Sequence, residues 1–383
     1  MNNMDILPPE KNSLEVSWVL NNAKHGDDQV YIDELPNVPN VSLFILADGV
    51  SDSLVGRFAS ALLVHQIQAT IHEYLHSPNM TLAKLDQATL RYLVRDAVNR
   101  FVKEAEAIRK SELEYGEIIA KRSKILIQIG QCIQCIQALV DYQIQVKQWF
   151  QKSQNSQPLV NENQADLSTC QEFFRENKEE IAKTELHDAL SVRLREVLNV
   201  LPLGKDETPT KVINDIRKRL ITSDPQLWDG KTTLLVAVLI TDSSGDDARF
   251  MTYCLGDSII KILRNQSTAL DLAWFSVYEP EARPSLTSWI SSKDGIHGKP
   301  SVSEHCVYQG DNIIIASDGA LINWTTVSGV SGIPFKNELT SCIKKTNSVK
   351  GFANNWIQYV VHSTAKALND DASLIVVRIT NKS

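Results

Sequence analysis

Two kinds of apolar pattern alternate along this chain. Short, nearly unbroken runs predict buried strands, and longer stretches in which apolar residues recur every three or four positions predict helices. The clearest strand is Val41–Gly49, VSLFILADG, which ends abruptly in Asp48-Gly49. Asp311–Gly319, DNIIIASDG, repeats the device and ends in Ser317-Asp318-Gly319. Two further strands begin with paired carboxylates: Asp27-Asp28 precede Gln29-Val30-Tyr31-Ile32, and Asp370-Asp371 precede Ser373–Arg378, SLIVVR. In antiparallel neighbours the end of one strand lies beside the start of the next, so these acids are expected along one rim.

The remaining pattern supplies the frame. Leu14–Leu20, Val30–Ile32 and Val41–Ala47 predict an opening antiparallel set, with Pro36 and Pro39 breaking the chain before the third strand. Leu54, Phe58, Leu62, Ile67 and Ile71 then share a helical face as far as His76-Ser77-Pro78, with Ser51 or Asp52 placed to cap the first turn. A second helix runs from Leu82 past Val102, with Leu90, Leu93, Val94 and Ala97 inward. From about residue 104 the helical pattern becomes rich in Ile and Gln (ILIQIGQCIQCIQALVDYQIQVKQWF), apolar around the helix, and must pack on a partner in this chain or a second molecule. Residues 151–168 have linker composition, and Glu172–Val200 is helical again.

Thr232–Thr241, Arg249–Leu255 and Ile259–Leu263 predict an antiparallel meander closed by tight turns. Asn265–Glu304, rich in Pro and Gly, is expected to be irregular, a long loop of the kind used as a lid or binding loop. Strands, helices, strands, helices and a last strand predict an α+β fold, a four-layer α-β-β-α sandwich of two antiparallel sheets flanked by helices. It is expected as a single domain over 14–383, interrupted by a helical insertion at about 104–200, after a flexible N-terminus at 1–13.

Composition narrows the function. With 383 residues and 43% apolar content the chain can bury a full core. A net charge of -7 without a dense Lys/Arg block excludes the electrostatic footprint of a nucleic-acid or anionic-membrane partner. The first residues, MNNMDILPPEKNS, lack a signal-peptide pattern, and no window is apolar enough to span a membrane, so a cytoplasmic protein is expected. Six cysteines are too few for a disulfide framework, and Cys132 and Cys135 form a lone CxxC in a helical pattern, which reads as two core thiols.

The acidic rim carries the chemistry. Carboxylates a few ångströms apart repel by roughly 4 kcal/mol per pair at an effective dielectric near 20, so a cation must offset them. Neither His nor Cys joins the strand-end acids, and oxygen-only ligation selects Mg or Mn over zinc. Gly49 beside Asp48 lets a backbone carbonyl approach an ion. Two such ions can lower the pKa of a bridging water that attacks phosphorus in line with its leaving group, which implies a hydrolase without a covalent enzyme intermediate.

In chain order, GDD (26–28), ADG (47–49), GxxAS (56–60), GKTTLL (230–235), LGDS (255–258), GDNIIIASDG (310–319) and NDDAS (369–373) resemble the motifs of the metal-dependent, type 2C (PPM) protein serine/threonine phosphatases. The resemblance covers roughly residues 14–77 and 228–380. It implies a central β-sandwich flanked by helices, a phosphorylated protein substrate with a cognate kinase, and two Mn2+ or Mg2+ ions, with a third left open. By resemblance Asp48 bridges the two ions and Gly49 supplies a carbonyl ligand. Asp318 and Asp370 complete one ion, while Asp27 and Asp28 serve the other mainly through water. Asp371 resembles a neighbour that hydrogen-bonds the loop, and Thr232, Thr233 and Asp257 resemble structural positions.

The departures from the family pattern define the alternatives. The family's Asp-Gly-x-Gly-Gly is here Asp48-Gly49-Val50-Ser51-Asp52, and Lys231 is inserted before the Thr-Thr pair. The phosphate-binding Arg position falls on Ala23, leaving Lys24 or His25 as substitutes without the bidentate fork, with His25 also a candidate general acid. Ile322 and Asn323 stand where the family often has another acid. The competing readings are an active phosphatase and a pseudophosphatase that captures phosphoproteins or a partner; a phosphatase of anti-sigma-factor antagonists shares the scaffold. The helical insert is either a flanking hairpin or a surface for self-association or kinase docking.

Overall fold

The computed structural model describes residues 13–22, 27–33, 40–50, 53, 55–78, 82–110, 189–201, 203, 207–221, 229–241, 247–265, 272–278, 288–321, 348–363 and 371–380, with isolated helical positions at 124, 131, 134, 172, 175, 341 and 343. In chain order the elements are β1 (Ser13–Asn21), β2 (Gln29–Asp33), β3 (Val41–Ala47), α1 (Gly56–Leu75), α2 (87–110), α3 (Ala189–Val200) and α4 (Pro209–Ile221). There follow β4 (Lys231–Thr232), β5 (Leu234–Thr241), β6 (Asp247–Leu255), β7 (Ile259–Asn265), β8 (Leu272–Tyr278), β9 (Trp289–Ser291), β10 (Gly295–His297), β11 (Ser301–Tyr308) and β12 (Asn312–Ala316). α5 (Phe352–Ser363) and β13 (Ala372–Thr380) close the chain order.

The strands form two five-stranded antiparallel sheets, ordered β1-β13-β12-β7-β8 and β11-β6-β5-β3-β2, and a small sheet ordered β10-β9-β4. Strand alternation explains why they stack. Ile313 and Ile315 of β12, Ile375 and Val377 of β13, Phe44 and Leu46 of β3, and Leu235 and Ala237 of β5 share one buried cluster drawn from both large sheets. The residues between them on β12 and β13, Ile314, Ala316, Leu374 and Val376, point the other way and meet Phe352, Trp356, Ile357 and Val360 of α5. β3 is buried along its whole length, and α1 packs on β2 and β3. Each fully buried Ile, Leu or Phe in these layers contributes about 1.5–3 kcal/mol relative to an exposed one.

Residues Met1–Arg109 and Ser191–Ser383 make up one compact unit, and Lys110–Leu190 another. In the second, the described residues are the end of α2, the first two residues of α3 and isolated helical positions, so Cys132, Cys135 and the linker expected at 151–168 lie outside the described residues. Of the N-terminus expected to be flexible, residues 1–12 likewise lie outside, and Ser13 already opens β1. No described helix is long and apolar enough to cross a membrane.

Three expectations are corrected. β1 does not join β2 and β3; it pairs with β13, Trp18 opposite Ile375, in the other sheet. The turn at Gly256-Asp257 does not close a meander, because β6 pairs with β5 and β11 while β7 pairs with β12 and β8. Gly256 has φ +120°, and a Cβ there would lie 2.4 Å from Thr233 Cβ, so the chain crosses between sheets where no side chain fits. Lastly, much of the stretch expected as an irregular loop is strand: β8, β9, β10 and the first half of β11, with Ile290 fully buried. Short strands set among Pro and Gly show too few alternations to register as a period.

Trp356 sits 2% exposed in the cluster between α5 and β12–β13, its Nε1 donating to Ala320 O at 3.4 Å. Trp356→Ala is expected to cost about 3–5 kcal/mol of unfolding free energy, read from urea denaturation.

Candidate functional site

Register places the acids. β2 runs antiparallel to β3 with Gln29 opposite Ala47, so Asp28, just before β2, lies beside Asp48, just after β3. β12 runs antiparallel to β13 with Ala316 opposite Leu374. Ser317 N–H donates to Ser373 O, and Ser373 N–H donates to Ser317 Oγ, each at 2.9 Å, which carries the pairing out to Asp318 and Asp371. These two acidic ends belong to different sheets. A hydrogen bond joins them: Asp27 N–H donates to Asp371 Oδ2 at 2.8 Å. Asp371 thus holds the loop before β2, the role its resemblance implied.

The Asp48-Gly49 turn is clamped by the strand that follows Gly230. Asp48 N–H donates to Thr233 Oγ1 at 3.2 Å, while Asp48 O accepts from Thr233 N–H at 2.8 Å and Thr232 Oγ1 at 2.9 Å. Gly49 N–H donates to Asp27 O at 3.2 Å, and Val50 N–H to Lys231 O at 2.9 Å. A Cβ on Gly49 would stand 2.6 Å from Asp27 Cβ and 2.7 Å from Asp27 O, so this approach requires glycine.

Crowding of like charges dominates the electrostatics. Asp28 is fully buried, and neither carboxylate oxygen makes a hydrogen bond of good geometry among the described residues; the Ser373 hydroxyl and the Asp48 carboxyl stand close enough to act on it without completing one. Burial pushes the Asp28 carboxyl up to about 7; the Ser373 hydroxyl tempers the rise, and the charges of Asp371 and Asp318 add to it. Asp48 keeps some exposed surface at the rim, yet the protein packed around it lifts its carboxyl well above the usual range, helped by Asp28, Asp318 and Asp257. No Lys or Arg is among these leading influences. A buried oxygen donor set that crowds negative charge is chemistry suited to a hard cation. Among the described residues, no three His, Cys, Asp or Glu side chains form a ready-made metal cradle.

Of the residues expected at the site, Asp27, Asp28, Asp48, Gly49 and Asp318 gather here. Asp318 is exposed, and Asp257, expected to be structural, is close enough for its charge to act on Asp48. The Asp27 carboxylate is turned toward α1: its Oδ2 is 3.0 Å from where a Gly56 Cβ would stand, a placement that suits the positive end of the helix dipole. The N-cap of that helix is Val55, which makes no side-chain cap, and Ser51 and Asp52, expected to cap it, lie outside the described residues. Lys24, His25, Asp370, Ala23, Ile322 and Asn323 lie outside the described residues. Sequence reasoning missed Arg57 and took Ser60 only as part of the GxxAS motif. Ser60 Oγ donates to Asp27 O at 2.6 Å, and Arg57 Nη1 donates to Asp28 O at 3.1 Å, both from buried positions. Their signal was an arginine and a serine three apart in a helical stretch otherwise small and apolar.

No family model matches this chain, and no curated protein does. Among solved structures it is similar to the serine/threonine phosphatase of S. agalactiae, at 11% identity and TM-score 0.43 over 96% of this chain and 100% of that one. It is similar to the catalytic domain of the serine/threonine phosphatase PstP, solved with two manganese ions, at 13% identity and TM-score 0.44 over 96% and 100%. Stp1 of Staphylococcus aureus is a third, at 12% identity and TM-score 0.48 over 97% of each chain. At TM-scores below 0.5 these likenesses assign no function by themselves.

Two outcomes follow from the crowding. Because Asp28 holds its proton more tightly in the folded chain than at its ordinary value of 3.8, the folded state binds more protons between that value and about 7. The metal-free protein is therefore most stable below this window and loses stability as pH rises through it, and Asp28→Asn should flatten that slope in denaturation series run with chelator. Gly49→Ala, forced against Asp27, should cost about 1–3 kcal/mol by the same measurement.

Proposed function

We propose that this protein is a metal-dependent phosphoprotein phosphatase that hydrolyses phosphoserine and phosphothreonine monoesters. The observation that carries the reading is Asp28, a fully buried carboxylate whose oxygens make no hydrogen bond of good geometry among the described residues, set against Asp48 with further acids around them. A folded chain keeps such a group when a cation completes it. The proposed donors are hard oxygens of the kind Mn2+ or Mg2+ takes: Asp48, Asp28 and Asp318, which the ion would draw together since no three of the described side chains form a cradle without it, with Gly49 carbonyl, Asp370 and, through water, Asp27 to complete two sites. Such ions, when bound, lower the pKa of water and offset charge on a phosphoryl group.

The chain's own residues then have distinct tasks. Thr232 and Thr233 fix the main chain that carries Asp48, and Asp371 fixes the amide of Asp27. We assign phosphate contact to Lys24 or His25, adjacent in sequence to the acidic pair. The architecture that suits this reading is the four-layer sandwich, with the helical insertion at about 104–200 serving a protein partner, a cognate kinase or self-association, in the cytoplasm.

Purified protein should hydrolyse an aryl phosphate and a phosphopeptide only with added manganese. Asp48→Asn and Asp318→Asn should each lower that turnover by more than about a hundredfold, beyond what loss of an outer-shell partner costs. Turnover that ignores manganese and both substitutions would sink the proposal. Manganese binding with no turnover would favour the pseudophosphatase.

A further inference from the structure

The main-chain carbonyl of Asp28 accepts from two side chains, Asn22 Nδ2 at 3.2 Å and Arg57 Nη1 at 3.1 Å. Both donors also reach one oxygen of Glu207: Arg57 Nη2 at 2.9 Å and Asn22 Nδ2 at 3.5 Å from Oε2. The four groups close a ring around the start of β2. The Arg57 side chain is 5% exposed and that of Glu207 16%, so the pair is shielded from water and salt. A buried guanidinium needs a counter-charge, and removal of one partner leaves the other to seek a new acceptor. The carboxylates at the rim are the acceptors at hand. Glu207 stands 150 residues beyond Arg57, downstream of the unit Lys110–Leu190.

We propose that Glu207 is a positioning residue for the acidic centre: through Arg57 and Asn22 it holds the Asp28 main chain where its carboxylate meets Asp48, and so sets affinity for the divalent ion. This deepens the phosphatase reading and rests on it. Glu207, Arg57 and Asn22 act through Asp28, and none of them needs to touch the phosphoester. The segment that follows the unit Lys110–Leu190 in sequence thereby bears on the centre without contributing a ligand.

The test is manganese titration calorimetry on the full chain, wild type against Glu207→Ala and Glu207→Gln. It is paired with metal-free amide exchange of the peptide spanning residues 28–32. Glu207→Ala should weaken manganese binding about tenfold, the range for loss of an outer-shell partner. The manganese concentration for half-maximal turnover should rise by the same factor, while kcat at saturating manganese holds. Glu207→Gln, whose amide oxygen still accepts from both donors but no longer supplies the counter-charge, should recover part of the loss. Wild-type affinity in Glu207→Ala, or equal weakening in the Ala and Gln variants, overturns the proposal. Should Glu207→Ala fail to fold, Asn22→Ala leaves the ion pair in place and must still weaken binding; no weakening overturns it. If wild type binds no manganese the phosphatase reading falls, and exchange at 28–32 then decides the positioning role: faster in Glu207→Ala supports it, unchanged overturns it.

Discussion

Repulsion between carboxylates that the fold forces together is the constraint on which this structure turns. Asp28 and Asp48 come from neighbouring strands of one sheet, Asp318 and Asp371 from neighbouring strands of the other. Burial and mutual charge raise the protonation range of the first pair far above that of a surface aspartate. Such an arrangement is unfavourable in a bare protein and is retained where a cation, or function, offsets it.

The surrounding contacts hold main chain, leaving carboxylates to the rim. Thr232 and Thr233 bond the Asp48 backbone, Ser60 the carbonyl of Asp27, Arg57 and Asn22 the carbonyl of Asp28. Of the described aspartates at the rim, Asp371 is spent on scaffolding, accepting from the Asp27 amide. Fixing backbone in this way positions a side chain without neutralising it, which is what a ligand set requires before the ion arrives. The hydrophobic layers serve the same end: Ile313 and Ile315 face the second sheet while Ile314 faces α5, so one strand anchors its terminal Asp318 from both sides.

Local pattern was enough for much of this. β3, β12 and β13 are legible as apolar runs because both faces are covered, and α1 and α2 because their inward residues recur with the helix turn. The acids at strand ends were legible too, since Asp-Gly closing an apolar run is a local feature. Which strand pairs with which was not. Alternation in β1 and β7 is the same whether the partner is the adjacent strand in sequence or one hundreds of residues away, so both were assigned to the wrong sheet.

The sequence by itself determined that a set of aspartates would stand at strand ends, and it was the ground for expecting oxygen ligation of any ion there. Only the tertiary structure decided that the two acidic ends lie in different sheets and meet because those sheets share a core. It alone turned the Asp27 carboxylate toward the start of α1 and brought Glu207 across 150 residues to Arg57. The physical reason is range: hydrophobic period and turn chemistry act over a few residues, whereas charge contact and sheet stacking depend on packing that no local window contains.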